Sequence, residues 1–257
     1  MRFTQAITTI EFFKDNFLKR WELDEYHNEN KPVIFFGIHG KYSEYERHKT
    51  YKIIIPTVPS DLPDFKKLKN NEKTILILDR EKHPNYYIPE NVIVKKEVIE
   101  IKDYSLFKPN TLGDKIYYYS GFENGWGGRW GEEKIKEIQK NIDHEIITTS
   151  HKNSDDYYDI IKLKNNFYDK CFLNLNLSEL NGMTTVREMG LMGRKTITMR
   201  KNNYYDYNCI INCKNIEEVI ETIKEESKKI GTLQDGINSH TVGDEWLNVN
   251  YWINENR

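Results

Sequence analysis

The sequence predicts an α/β protein made of two parallel-sheet domains in tandem, and three observations carry that prediction. Short runs of β-forming residues alternate with charged stretches of helical length. The alternation restarts after a break containing Pro109 and Gly113, and the 257 residues are enough for two modest domains. Hydrophobic residues make up 38% of the chain and aromatics 13%. Both are spread along its whole length, so the chain can bury a core and is not expected to be disordered.

Taken in order, residues 9–22 come first. Ile10, Phe13, Phe17 and Trp21 recur at helical spacing, and Thr8 with Glu11 reads as a capping box, so an amphipathic helix is expected. Runs at 33–36, 52–55, 74–78 and 91–95 are bounded by Gly, Pro, Asp or Asn and read as buried strands. The charged stretches 42–50 and 62–71 are long enough for crossover helices, which makes those strands parallel. The pattern resumes with strand 115–120, a glycine-rich turn, and a helix carrying Ile135, Ile138 and Ile142 on one face. Strand 145–149 and a helical stretch near 157–163 lead to strand 171–177. That strand sets Cys171, Leu173, Leu175 and Leu177 against Phe172, Asn174 and Asn176, so only one of its faces is expected to be strongly buried. A short helix, strands 195–199 and 208–212, and a helix from Ile216 complete the chain's regular part, with Asn215 and Glu218 as cap pair and Gly231 as stop. The domains fall at 1–110 and 111–257, and the first is short enough to lack a strand or two.

Thirty-eight basic residues against 40 acidic ones leave a formal charge of −2. No overall field draws a polyanion, and nucleic acid is not the expected partner. The longest apolar run, around Gly37, falls far short of the ~20 residues of a membrane span. Residues 1–13 lack a secretory core, so a cytoplasmic protein without a membrane span is expected. Cys171, Cys209 and Cys213 are an odd number without metal-type spacing, which points to reduced thiols.

Three segments could carry chemistry. The first is Ser178-Glu179-Leu180-Asn181-Gly182-Met183-Thr184-Thr185-Val186-Arg187-Glu188, running on to Gly193 and Ile197. Gly182 lets backbone approach a ligand closely, and Thr184 and Thr185 sit at a helix start, whose N–H groups and dipole favour a phosphate. Glu188, one turn later, can accept hydrogen bonds from hydroxyls of whatever carries that phosphate. The alternative is that Thr185 and Glu188 are only a capping box. The second segment is Ser120-Gly121 followed by Gly125, Gly127, Gly128, Arg129, Trp130 and Gly131. Here Arg129 offers a planar fork for a diphosphate, with Lys134 behind it, or is simply a surface residue. Trp126 and Trp130 stack on a ligand or pack. The third lies in the first half: His39 follows a strand's carboxyl end and could act as acid or base, or be a satisfied loop histidine, and Asp61 either contacts an acceptor or caps a helix.

The run from Asn181-Gly182 through Glu188 to Gly193 and Ile197 resembles the donor-binding signature of retaining GT-B glycosyltransferases. The resemblance spans about residues 30–230 and is specific over 178–197. It implies two Rossmann-like domains facing a cleft, with the N-terminal domain binding acceptor and the C-terminal domain a nucleotide-diphosphate sugar such as a UDP- or GDP-sugar. By resemblance Glu188 takes the ribose, and Gly121, Arg129, Lys134, Gly182, Met183, Thr184 and Thr185 surround the diphosphate and sugar. Glu179 approximates the family's earlier glutamate, although eight residues rather than seven separate it from Glu188. Transfer without a metal or further cofactor is implied, with retention of configuration; an inverting enzyme would use His39 or Asp61 as base. The tail, about 240–257 with Trp246, Tyr251 and Trp252, is expected to pack back on the N-terminal domain. Expected partners are the nucleotide sugar and a glycan-type acceptor, and the oligomeric state, a dimer included, stays open. Two other readings stand beside this one: a DNA-base glycosyltransferase using Lys66, Lys67 and Lys69, and a nucleotide-sugar-binding subunit without turnover. No Asp-x-Asp after an apolar strand offers a metal site of the GT-A kind.

Overall fold

The structure, a computed structural model, describes residues 1–9, 11–56, 62–78, 86–97, 99–100, 102–121, 131–150, 159–177, 184–199, 207–238 and 243–254. The chain divides into two compact units, Met1–Asp103 with His240–Arg257, and Tyr104–Ser239. Each unit has its own parallel sheet.

In the first unit, strands β1 (Gln5–Thr8), β2 (Asp24–Glu25), β3 (Val33–Phe36), β4 (Lys52–Ile55), β5 (Thr74–Leu78) and β6 (Ile93–Lys96) lie in the order β2-β1-β3-β4-β5-β6. Every neighbouring pair is parallel. Six strands correct the expectation of a sheet missing a strand or two. Helices α1 (Glu11–Trp21) and α2 (Tyr42–Arg47) follow β1 and β3. The expected helix over 62–71 is absent among the described residues, where turns take its place. The physical reason is local: the Glu46 carboxylate accepts from the Lys69 and Asn70 backbone N–H groups at 2.6 and 3.0 Å, satisfying them outside a helical ladder.

The core of this unit is aromatic. Phe17 of α1 stacks on Phe36 of β3 with ring centroids 4.4 Å apart, and Trp21 meets Trp246 edge-on at 5.1 Å. Trp252 donates its indole N–H to the Trp246 carbonyl at 2.6 Å. Trp246, Leu247, Val249 and Trp252 join Phe3, Phe17 and Trp21 in one buried cluster, which explains why this late stretch of chain belongs to the first unit.

In the second unit, strands β7 (Lys115–Gly121), β8 (Ile146–Ser150), β9 (Cys171–Asn176), β10 (Lys195–Thr198) and β11 (Ile210–Asn212) lie in the order β11-β10-β9-β7-β8, all parallel. Helices α3 (Glu132–Gln139) and α6 (Ile216–Ser227) cover one face, where Ile138, Val219 and Ile223 pack with Ile116, Leu173 and Leu175. Helices α4 (Ile160–Asn166) and α5 (Thr184–Leu191) cover the other, where Leu163, Val186 and Met189 pack with Tyr117 and Tyr119. The start of α6 follows its sequence: the Asn215 side chain accepts from the Glu218 backbone N–H at 2.8 Å.

Residues 109–111 are fastened rather than free-running. The buried Arg194 guanidinium donates to the carbonyls of Asn110 (3.3 Å), Thr111 (3.1 Å) and Cys171 (3.2 Å). The division between units accordingly falls at Asp103 and Tyr104, seven residues before the sequence-based boundary at 110. Pro and Gly mark a break in periodicity, and a break in periodicity need not be a flexible joint.

Candidate functional site

The strand order of the second unit locates one point of special chemistry. The first strand, β7, lies between β8 and β9, and the chain leaves β7 toward α3 on one face but leaves β9 toward α5 on the other. Such a reversal opens a crevice beyond the carboxyl ends of the two strands, where open α/β sheets bind ligands. The two chemistry-bearing segments of the second half of the sequence follow these strands: residues 122–130 come after β7, and residues 178–183 after β9. The described residues that flank them meet: Gly131, which follows the first segment in a left-handed conformation (φ 90°) just before α3, is so close to Leu177, which precedes the second, that an added Cβ would lie 3.1 Å from the Leu177 Cβ.

Helix α5 starts at Thr184, so Thr184 and Thr185 present their backbone N–H groups in its first turn. Thr185 is therefore inside the helix and cannot be the cap of a Thr185–Glu188 capping box. Glu188 is 1% exposed. Its Oε2 accepts from the Tyr168 hydroxyl at 2.7 Å, and Tyr168 is held edge-on against Tyr117 at 4.9 Å. Tyr117 in turn bonds the Thr149 hydroxyl. Gly193, part of the sequence signature, serves the local backbone. Its φ of 85° ends α5, and a Cβ there would lie 2.5 Å from the Gln234 carbonyl oxygen.

The face of the sheet beneath α5 is polar toward its carboxyl end. Asn174 and Asn176 of β9 stand in register with Thr196 and Thr198 of β10, and all four are at most 4% exposed. Strand β9 is thus buried on both faces, which corrects the expectation drawn from its alternation. Asparagine reads as solvent-facing in a strand, but α5 covers it here. The Asn174 amide donates to the Thr196 hydroxyl at 3.0 Å, while Oδ1 of both asparagines lacks a hydrogen-bond partner among the described residues. Buried polar atoms left unsatisfied are uncommon and ask for an explanation.

The other sequence-derived positions are distributed as follows. Gly121 ends β7 opposite Ser150. Lys134 is half-buried on α3. His39 is exposed in the turn after β3, edge-on to Tyr42 at 6.3 Å, between the left-handed glycines Gly37 and Gly40. Glu179, Asp61, Arg129, Gly182 and Met183, with Trp126, Trp130 and Ile10, lie outside the described residues. In the first unit an open cavity of about 190 Å³ sits at the carboxyl end of β1, lined by Thr8, Lys14, Glu25, Tyr26, Lys41 and Glu44. Lys14 and Glu25 pair across it at 2.6 Å. Among the described residues no three His, Cys, Asp or Glu side chains gather as a metal site would require, and no helix is long and apolar enough to cross a membrane. All three cysteines are buried, free thiols, and burial pushes the pKa of Cys209 up to about 11.

Tyr168, Asn176 and Arg187 are the positions that the sequence alone does not single out. Tyr168 lies outside both segments and belongs to no motif, and the asparagines gain meaning only from their burial. Comparison with known proteins gives no match, either to a family model or to a curated protein. The class defined by fold is therefore the plain one: an α/β protein with two parallel, Rossmann-like sheets of six and five strands.

Proposed function

We propose that this protein is a glycosyltransferase that moves a sugar from a nucleotide-diphosphate sugar to a hydroxyl of a glycan-type acceptor. The observation that carries the reading is the contact of Gly131 with Leu177 at the adjacent strands β7 and β9, where the chain changes sides of the sheet. A nucleoside diphosphate suits that place, because the first turn of α5 supplies N–H groups and a positive dipole end. The resemblance of 178–197 to the GT-B donor signature supplies the sugar, the metal independence and the retained configuration.

In this reading Gly121, Gly182, Met183, Thr184 and Thr185 surround the diphosphate, with Arg129 and Lys134 as cations. Glu188, aligned by Tyr168, meets the ribose. The bond from the anomeric carbon to the diphosphate oxygen breaks, and the nucleoside diphosphate leaves with the electron pair. Fixed N–H dipoles aimed at that oxygen lower the barrier. The acceptor oxygen bonds the anomeric carbon on the face the diphosphate left, and its proton passes to the departing diphosphate. Glu179, His39 and Asp61 are the protein's own candidates for contacts to sugar and acceptor.

The test is a screen of isotope-labelled nucleotide sugars against an acceptor panel with the full chain. Release of free nucleoside diphosphate together with labelled acceptor is the expected result. Thermal stabilisation by a nucleotide sugar with no turnover would replace the enzyme with a binding subunit, and neither effect with any donor would end the proposal.

A further inference from the structure

Two arginines of the second unit are almost fully buried, and they are treated very differently. Arg194 is 0% exposed, and its guanidinium is matched by carbonyl oxygens of Asn110, Thr111, Cys171 and Met192. Arg187 is 6% exposed. It lies over the ring of Tyr104, with its guanidinium carbon 4.4 Å from the ring centroid, and its Nη2 is buried without a hydrogen-bond partner among the described residues. A buried cation with an unfilled donor is costly unless something supplies the missing acceptor.

The position of Arg187 says what that acceptor is. It stands three residues after Thr184, on the same side of α5 and one turn up. Side chains on a helix tilt toward its N-terminus, so the guanidinium lies on the side of the first turn, whose N–H groups have no acceptor within the helix itself. A planar guanidinium, backbone N–H groups and a helix dipole then share one end of one helix, and all favour negative charge. The Tyr104 ring lies against the guanidinium and is itself neutral, so it does not cancel the charge.

We infer that Arg187 is the buried cation of an anion site at the start of α5 and takes a phosphate of the nucleoside diphosphate. The inference rests on the nucleotide-sugar reading for the nucleoside, and on Arg187 and α5 alone for the anion. It also accounts for a sequence oddity, an arginine immediately before the helix-borne Glu188 on a largely buried helix.

The experiment uses the full chain and three variants, Arg187→Met, Arg187→Lys and Tyr104→Leu, titrated calorimetrically with UDP, GDP, uridine, guanosine and inorganic pyrophosphate. Arg187→Met should weaken the bound nucleoside diphosphate by roughly tenfold or more while leaving its nucleoside within about twofold, since only the former carries the charge that the fork receives. Arg187→Lys should keep part of the affinity, and Tyr104→Leu should lose less than Arg187→Met. Without ligand, the Arg187→Met protein should melt no lower than the parent, because an uncompensated buried charge has been removed. Equal losses for nucleotide and nucleoside, or no loss, overturn the inference; should Arg187→Met not fold, Arg187→Lys and Tyr104→Leu carry the same comparison. If the parent binds pyrophosphate but neither nucleotide, and Arg187→Met abolishes that binding, the anion site stands and the nucleotide-sugar reading falls. A parent that binds none of the five probes overturns both.

Discussion

In the first sheet the buried polar side chains Gln5, Lys52 and Thr74 stand at the amino ends of β1, β4 and β5, whereas in the second Thr149, Asn176 and Thr198 stand at or next to the carboxyl ends of β8, β9 and β10. The first set is satisfied from within. The Gln5 amide donates to the Asn28 carbonyl at 2.6 Å, and its oxygen accepts from the Asn28 N–H at 3.1 Å. Lys52 donates to the Asn70 carbonyl at 2.7 Å, and Thr74 and Tyr45 share a hydrogen bond of 2.8 Å. In the second sheet Oδ1 of Asn174 and of Asn176 has no such partner among the described residues. One sheet uses polarity to close its base. The other carries unspent hydrogen-bonding capacity toward the end where parallel sheets meet ligands.

The sharpest way to break this comparison is to move the polarity. Phe36 occupies the carboxyl end of β3, 1% exposed and stacked on Phe17. Phe36→Asn should destabilise the first unit by about 4 kcal/mol, combining a lost aromatic with a buried, unpaired amide. Urea unfolding followed by tryptophan fluorescence measures it, and a cost below about 1 kcal/mol would mean that this end of the sheet tolerates polarity after all.

Next in size is Arg194→Met, which strips the donor from the carbonyls of Asn110, Thr111 and Cys171. Leaving them unsatisfied should cost about 3 kcal/mol. Limited proteolysis should then cut near residues 109–111, and unchanged resistance would show that the strap holds without its arginine.

The closed base of the first sheet makes a pH prediction. His48 is fully buried, and its pKa is pulled down to about 4, chiefly by burial, with the nearby Lys52 charge adding to the effect. The unfolded chain takes up this proton first, near the ordinary histidine value of about 6.5. The contribution is therefore complete above that pH and is lost as pH falls toward 4, by roughly 3 kcal/mol. Stability curves for the parent and His48→Phe should diverge over this window, and parallel curves would remove His48 from the account.

The smallest effect is expected where the comparison says polarity is not structural. Asn176→Leu should change stability by less than about 1 kcal/mol, because Oδ1 of the residue it replaces has no hydrogen-bond partner among the described residues. In the proposed reading it should nevertheless weaken nucleotide binding. A loss of several kcal/mol in chemical denaturation would instead make the polar face a structural one.

Much of this architecture is legible in order but not in depth. The runs at 33–36, 52–55 and 74–78 coincide with β3, β4 and β5 because a continuous apolar run leaves a buried parallel strand few alternatives. Strand β1 is not legible: Gln5-Ala6-Ile7-Thr8 mixes polar and apolar residues where β3 and β4 carry apolar runs, and it forms a strand because β3 lies beside it in register. For the site, the glycine segments and Glu188 are visible by type and spacing. Tyr168, Asn176 and Arg187 are not, since a tyrosine, an asparagine and an arginine ordinarily read as surface or half-buried residues.

Local chemistry alone determined the βαβ rhythm, its restart after Gly113, the cap at Asn215 and the helix that begins near Thr184, because each depends on residues within a turn or two of one another. Only the tertiary structure decided that β7 and β9 are neighbours, that Trp246 and Trp252 complete a core begun by Phe3 and Phe17, and that one buried arginine is matched while Nη2 of the other has no hydrogen-bond partner among the described residues. Those outcomes depend on which surfaces exclude water from one another, and residues far apart along a chain settle that together.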